Sequence, residues 1–190
     1  MSSATHALDL PEPRRDQLDP DHQAYFKKCE EKLGLVPHVL RAYSWNQKKL
    51  RAFAAYYNEL MLGDSGLSKL EREMIAVVVS SINHCYYCLV AHGAAVRQLS
   101  GDPALGEQLV MNYRAAALSL RQRAMLDGAW ALTTSPSTFG ADDRARLRAA
   151  GLSDADIWDL CDVVGLFNMT NRVAAGVEMT PNPEYHAMAR

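Results

Sequence analysis

Cys85-Tyr-Tyr-Cys88-Leu-Val-Ala-His92 constrains this chain more than any other segment. Two thiols and an imidazole recur at i, i+3 and i+7. At about 100° per residue a helix gathers all three within roughly 60° of one another, whereas a strand would alternate them across two faces. The spacing therefore predicts a helix that carries chemistry on one side. A dithiol beside a base can run redox chemistry, in which one sulfur attacks, the other resolves and the imidazole moves the proton.

The surrounding signals are helical too. Ser68-Lys-Leu-Glu71 is a capping box opening an apolar helix over 70–82. Its run of β-branched residues, 75–79, could suit a buried strand, but the cap and the length favour a buried helix. Asn83 reads as the N-cap of the motif helix, which would end near Gly101 and hold Cys85 near its second position. Asp19-Pro20-Asp21 and Gly34 bracket a helix, a second helical region runs from Pro37 to Leu62 with a break near Trp45-Asn46, and Asp102-Pro103 opens a short helix. Ser119 to Gln122 and Ser153 to Asp156 open two more, with another helix over 142–150 that stops at Gly151. No convincing alternating segment is present, so the predicted class is all-α. Residues 1–18 read as an N-terminal arm, 19–180 as one helical domain with the redox motif in 68–100, and 181–190 as a C-terminal tail. Leu67-Ser68 followed by Asn83 is echoed by Leu152-Ser153 followed by Asn168. The echo suggests a duplicated helical hairpin whose second copy carries Thr170, Val173 and Val177 in place of Cys85, Cys88 and His92.

Bulk properties narrow the partners. With 48% hydrophobic and 22% charged residues the chain is ordinary globular protein, and a net charge of -2 favours neither nucleic acid nor an anionic membrane. No apolar run approaches the roughly 20 residues of a bilayer span. Met1 to Arg15 lacks the continuous apolar stretch of a secretion signal, so a cytoplasmic location is expected. In that compartment a CxxC pair is catalytic or metal-binding before it is a structural staple. A structural zinc site wants four N/S ligands, and Cys29 and Cys161 lie in other segments without partner spacing, so no metal is expected. Small thiols also pack well in cores, the competing structural use of the pair. His6, His22, His38 and His186 read as surface residues, and Arg121 and Arg123 as solvated helix faces.

Glu73 lies twelve residues before Cys85, about 18 Å along an unbroken helix, so it reaches the motif only if the chain folds back around 81–84. Glu73 would then orient His92. Position near a helix N-terminus favours Cys85 as the lower-pKa thiol, whereas a Glu–His relay could activate Cys88.

Taken together, Glu73, Cys85, Cys88 and His92 resemble the alkylhydroperoxidase (AhpD-like) core of the carboxymuconolactone decarboxylase superfamily, in its peroxidase-related branch. The likeness extends to Gly34-Leu-Val-Pro37 and to Phe167-Asn-Met-Thr-Asn-Arg172. It implies an all-helical homo-oligomer (dimer, trimer or hexamer) that reduces hydroperoxides without haem, flavin or metal, and is recharged by an external lipoyl or thioredoxin-like dithiol. It also implies Cys88 as the attacking thiol, Cys85 as the resolving one, and His92 with Glu73 as the proton relay. Some relatives place a histidine directly before the second cysteine; here that position is Tyr87. Tyr87 and His84 are candidate site walls. The alternatives are a redox-sensing or disulfide-exchange protein without turnover, and an acid/base enzyme of the decarboxylase kind using His92 and Glu73.

Overall fold

The computed structural model describes residues 4–190, and the described residues form α-helices and short 3-10 turns with no strand, as the patterning predicts. The order is α1 (Pro20–Leu33), α2 (His38–Tyr43), α3 (Gln47–Leu62), α4 (Lys69–Ile82), α5 (Tyr86–Ser100), α6 (Pro103–Asn112), α7 (Leu120–Thr134), α8 (Ala141–Ala149) and α9 (Asp154–Gly176). The capping boxes at Ser68, Ser119 and Ser153 all form. Gly34 and Gly101 end α1 and α5 in the left-handed region, at φ 74° and 67°, where a Cβ would be strained.

The central helix is α4, packed against α5, α6, α7 and α9. Met74 to Val79 are all but inaccessible to solvent. A helix apolar all round belongs in the middle of a bundle, and this accounts for the valine-rich run without a strand. Two arginines expected in solvent are fasteners for this core. Arg121 donates to Glu71 Oε1 at 3.1 Å and to the carbonyls of Gly66 and Gly151, and Arg123 binds the carbonyls of Tyr113, Arg114 and Ala116.

The chain breaks between α4 and α5, with the cap of α5 two residues beyond the expected Asn83. Asn83 caps the end of α4, His84 takes a positive φ of 53°, and Cys85 is the N-cap of α5. Asn83 does not cap α5 because its backbone is still helical and closes α4, while its Nδ2 donates to Asn168 and Asn171 on α9. The echoed segment folds differently: α9 runs unbroken through Asn168, so the second copy is one helix and not a hairpin.

Both terminal segments lie against the body. The Ala7 N–H meets the Val177 carbonyl at 2.9 Å, Asn182 ties to His38 N and Val36 O, and Arg97 holds the carbonyls of Tyr185 and Met188. His22 and His38, expected at the surface, are buried, His22 with its Nδ1 3.1 Å from Gln47 Oε1 and His38 with its Nδ1 2.8 Å from the Thr180 carbonyl. Among the described residues no helix is long and apolar enough to cross a membrane.

Candidate active site

Folding α5 back along α4 builds the site. The Cys85 N–H donates to the Ser80 carbonyl at 3.0 Å, and the Cys85 carbonyl accepts from Leu89 at 2.9 Å, which fixes the start of α5. Cys88 lies one turn further on. Its sulfur is 2.9 Å from that of Cys85, and both are free thiols. The pair is buried, 2% and 3% exposed, among Ala42 of α2, Ala174 of α9, Met179 of the tail and Tyr87.

One turn beyond Cys88, His92 Nδ1 lies 2.6 Å from Glu73 Oε2. A carboxylate there holds the Nδ1–H tautomer and leaves Nε2 for proton transfer. Phe167 meets the imidazole edge-on at 4.6 Å, and the Tyr57 ring lies 6.4 Å away. The structure thus sets the buried Cys85–Cys88 pair one turn from the His92–Glu73 pair, near enough for the His92 field to act on Cys85.

The two candidate walls separate. The Tyr87 ring packs behind the thiols, and its hydroxyl accepts the Val39 N–H at 3.0 Å, tying α2 to α5. His84 is exposed and lines a different pocket of about 270 Å³ with Met111, Asn112 and Trp130. A second surface pocket, of about 420 Å³, lies around Phe139 and Asp142; neither is lined by a thiol. Sequence reasoning missed Val39, Ala42 and Met179 as the cover over the thiols. These are plain apolar residues in remote segments and carry no local signal.

The two thiols are electrostatically unequal. The hydrogen bond from Cys88 draws the Cys85 thiol down to about 7, against the opposing effect of burial and with help from the Cys88 N–H, the His92 field and Asn171. The same bond and burial push Cys88 far upward. Cys85 is therefore the more acidic thiol of the pair, and Cys88 holds its proton more tightly. Alkylation of the reduced protein by iodoacetamide, followed against pH, is expected to rise through a midpoint near about 7; a midpoint at the ordinary thiol value of about 8.5 would contradict this order.

Among the described residues no group of three or more His, Cys, Asp or Glu is arranged to hold a metal ion.

A helical bundle with a CxxC pair on the N-terminus of one helix, backed by a carboxylate-anchored histidine, defines the AhpD-like class. The chain belongs to the carboxymuconolactone decarboxylase superfamily, within its AhpD-like, peroxidase-related branch. The model of the carboxymuconolactone decarboxylase family matches residues 48–127. An uncharacterized peroxidase-related protein from Silicibacter sp. TM1040 is 61% identical over 99% of this chain and 97% of its own, with a TM-score of 0.95. An alkylhydroperoxidase AhpD-core protein from Ralstonia eutropha JMP134, also described as peroxidase-related, is 36% identical over 100% and 98%, with a TM-score of 0.94. The debrominase Bmp8, in complex with 2,3,4-tribromopyrrole, shares the fold at 17% identity over 99% and 96%, with a TM-score of 0.78. No curated protein compared with the chain matches it.

Proposed function

We propose that this protein is a thiol peroxidase of the alkylhydroperoxidase type, reducing organic hydroperoxides or hydrogen peroxide through Cys85 and Cys88. The observation that carries the reading is the dithiol with its sulfurs 2.9 Å apart, one turn before an imidazole held at 2.6 Å by Glu73. Membership of the AhpD-like branch supports it.

In the first step the Cys88 proton crosses to the Cys85 sulfur, leaving a thiolate on Cys88. That sulfur attacks the terminal peroxide oxygen: the S–O bond forms, the O–O bond breaks, and the electron pair leaves on the alkoxide. His92, doubly protonated, supplies the proton from Nε2 that makes the alcohol. In the second step Cys85 attacks the sulfenic sulfur, the S–O bond breaks, and the Cys85 proton passes through His92 to the departing hydroxide, giving water and a disulfide. An external dithiol, lipoyl or thioredoxin-like, reduces the disulfide by exchange. In the cytoplasm a disulfide of this kind would be reduced again after each turnover. The working form is a homo-oligomer.

Glu73→Gln keeps an acceptor for Nδ1 but removes the charge that stabilises the protonated ring. The single-turnover rate is expected to fall about 100-fold, with disulfide yield unchanged; an unaltered rate would remove Glu73 from the relay.

The experiment is single-turnover reaction of the reduced protein with cumene hydroperoxide and with hydrogen peroxide, followed by thiol loss and intact mass. One Cys85–Cys88 disulfide formed per peroxide, far faster than with a free thiol, is the expected result. A rate no greater than that of free thiol would overturn the proposal and leave the acid/base use of His92 and Glu73. Rapid oxidation without turnover on a dithiol would instead mark a redox sensor. Tribromopyrrole, the compound bound by the debrominase neighbour, is the control acceptor.

A further inference from the structure

Three side-chain amides are joined beside the dithiol, and donation runs from Asn83 through Asn171 to Ser80. Asn168 Nδ2 donates to the Val164 carbonyl at 3.0 Å, and a carbonyl can only accept, so Asn168 Oδ1 is turned toward Asn83. Asn83 Nδ2 donates to that oxygen at 3.1 Å and to Asn171 Oδ1 at 3.0 Å. The Asn171 oxygen is thereby engaged, and its NH2 group, which only donates, faces inward. One of its hydrogens goes to Ser80 Oγ at 3.0 Å, so the serine hydroxyl keeps its own hydrogen to give. Asn171 is 2% exposed and Ser80 has no accessible surface. Ser80 is also the residue whose carbonyl seats the Cys85 N–H.

Donation therefore ends in two buried donors, Asn171 and Ser80, at the residue whose carbonyl seats Cys85, and both hydrogen-bond toward Cys88; the thiols are otherwise walled by Ala42, Ala174, Met179 and Tyr87. A thiolate in apolar surroundings is unstable unless donors are already aimed at it. We propose that Ser80 and Asn171 are a preorganised donor pair that stabilises the Cys88 thiolate during attack, taking over as the charge leaves Cys85. This rests on the peroxidase reading above and adds two residues to its machinery. Both side chains draw the Cys88 thiol downward against burial and the neighbouring sulfur, and Asn171 acts in the same direction on Cys85. The titratable groups facing the pair are His92, with Glu73 behind it, and Tyr87, all from α4 and α5. Near the sulfurs α9 contributes the neutral Asn171, whereas α2 and the tail contribute apolar side chains.

The test needs no peroxide. In a Cys85→Ser background Cys88 is the remaining motif thiol, and its alkylation by iodoacetamide is followed against pH by peptide mass spectrometry. Adding Ser80→Ala or Asn171→Leu is expected to raise the midpoint by about one pH unit, a roughly ten-fold slower reaction at neutral pH. Ser80→Thr, which restores the hydroxyl, should return the midpoint. Asn171→Asp keeps the shape and the acceptor for Asn83 but replaces the inward donor with a charge, and should raise the midpoint further. Circular dichroism establishes which variants fold, and the Ser80 series decides the matter if Asn171→Leu does not. Unchanged midpoints in folded variants would overturn the proposal, as would a rise in Ser80→Ala that Ser80→Thr fails to reverse. The peroxide reaction of the parent protein stands or falls separately.

Discussion

Cys88→Ser is expected to lower the single-turnover rate with cumene hydroperoxide by on the order of 10³-fold or more, because the attacking atom is gone and serine's hydroxyl is not ionised there. Cys85→Ser should behave differently. Cys88 still attacks once, and its sulfenic acid then persists, because the sulfur 2.9 Å away that would have closed the disulfide is missing. Trapping with dimedone distinguishes the two: an adduct at Cys88 in Cys85→Ser, and none at Cys85 in Cys88→Ser. Cys85 is the more acidic thiol, so the reverse pattern would mean that it attacks directly and no proton shift precedes chemistry. That outcome would keep the peroxidase and exchange the roles of the sulfurs.

Phe167→Ala carries the largest expected loss of stability. Phe167 is 1% exposed in the core formed by α4, α7 and α9, and it also braces His92 edge-on at 4.6 Å. Removing a buried ring typically costs about 3–5 kcal/mol through lost burial and the cavity left behind. For a chain of this size that is a fall in Tm on the order of 10 °C, measured at one fixed protein concentration. The imidazole would keep its Glu73 bond but lose its lateral support, so the peroxide rate should fall as well, in protein still folded at the assay temperature. A cost below about 1 kcal/mol would mean that α9 closes over the gap and the ring is not a brace.

Much of the fold was legible because its signals are short. Ser68 and Glu71 cap one helix within a single turn, Gly34 and Gly101 stop two others, and the i, i+3, i+7 spacing puts Cys85, Cys88 and His92 on one face by helix geometry alone. The break near Asn83 was legible too, though not its register. The cap falls on Cys85 because α4 runs on through Asn83, which closes it as a helical C-cap and sends its side chain to α9, a placement that no local pattern records. The buried His22 and His38 and the fastening role of Arg121 were misread for the same reason. A histidine or arginine looks solvated in sequence, and only a packed partner changes that.

By itself, then, the sequence determined the helical class, the dithiol with its imidazole and the acid that could join them, since each follows from residue type and spacing within a few turns. The tertiary structure decided that Glu73 reaches His92, that the thiols are covered by α2 and the tail, and that Cys85 is the more acidic of the two. It also brought Asn171 onto Ser80 across 91 residues of chain. These depend on where helices cross and which polar atoms are shut away from water, and burial strengthens each such contact only after the whole bundle has closed.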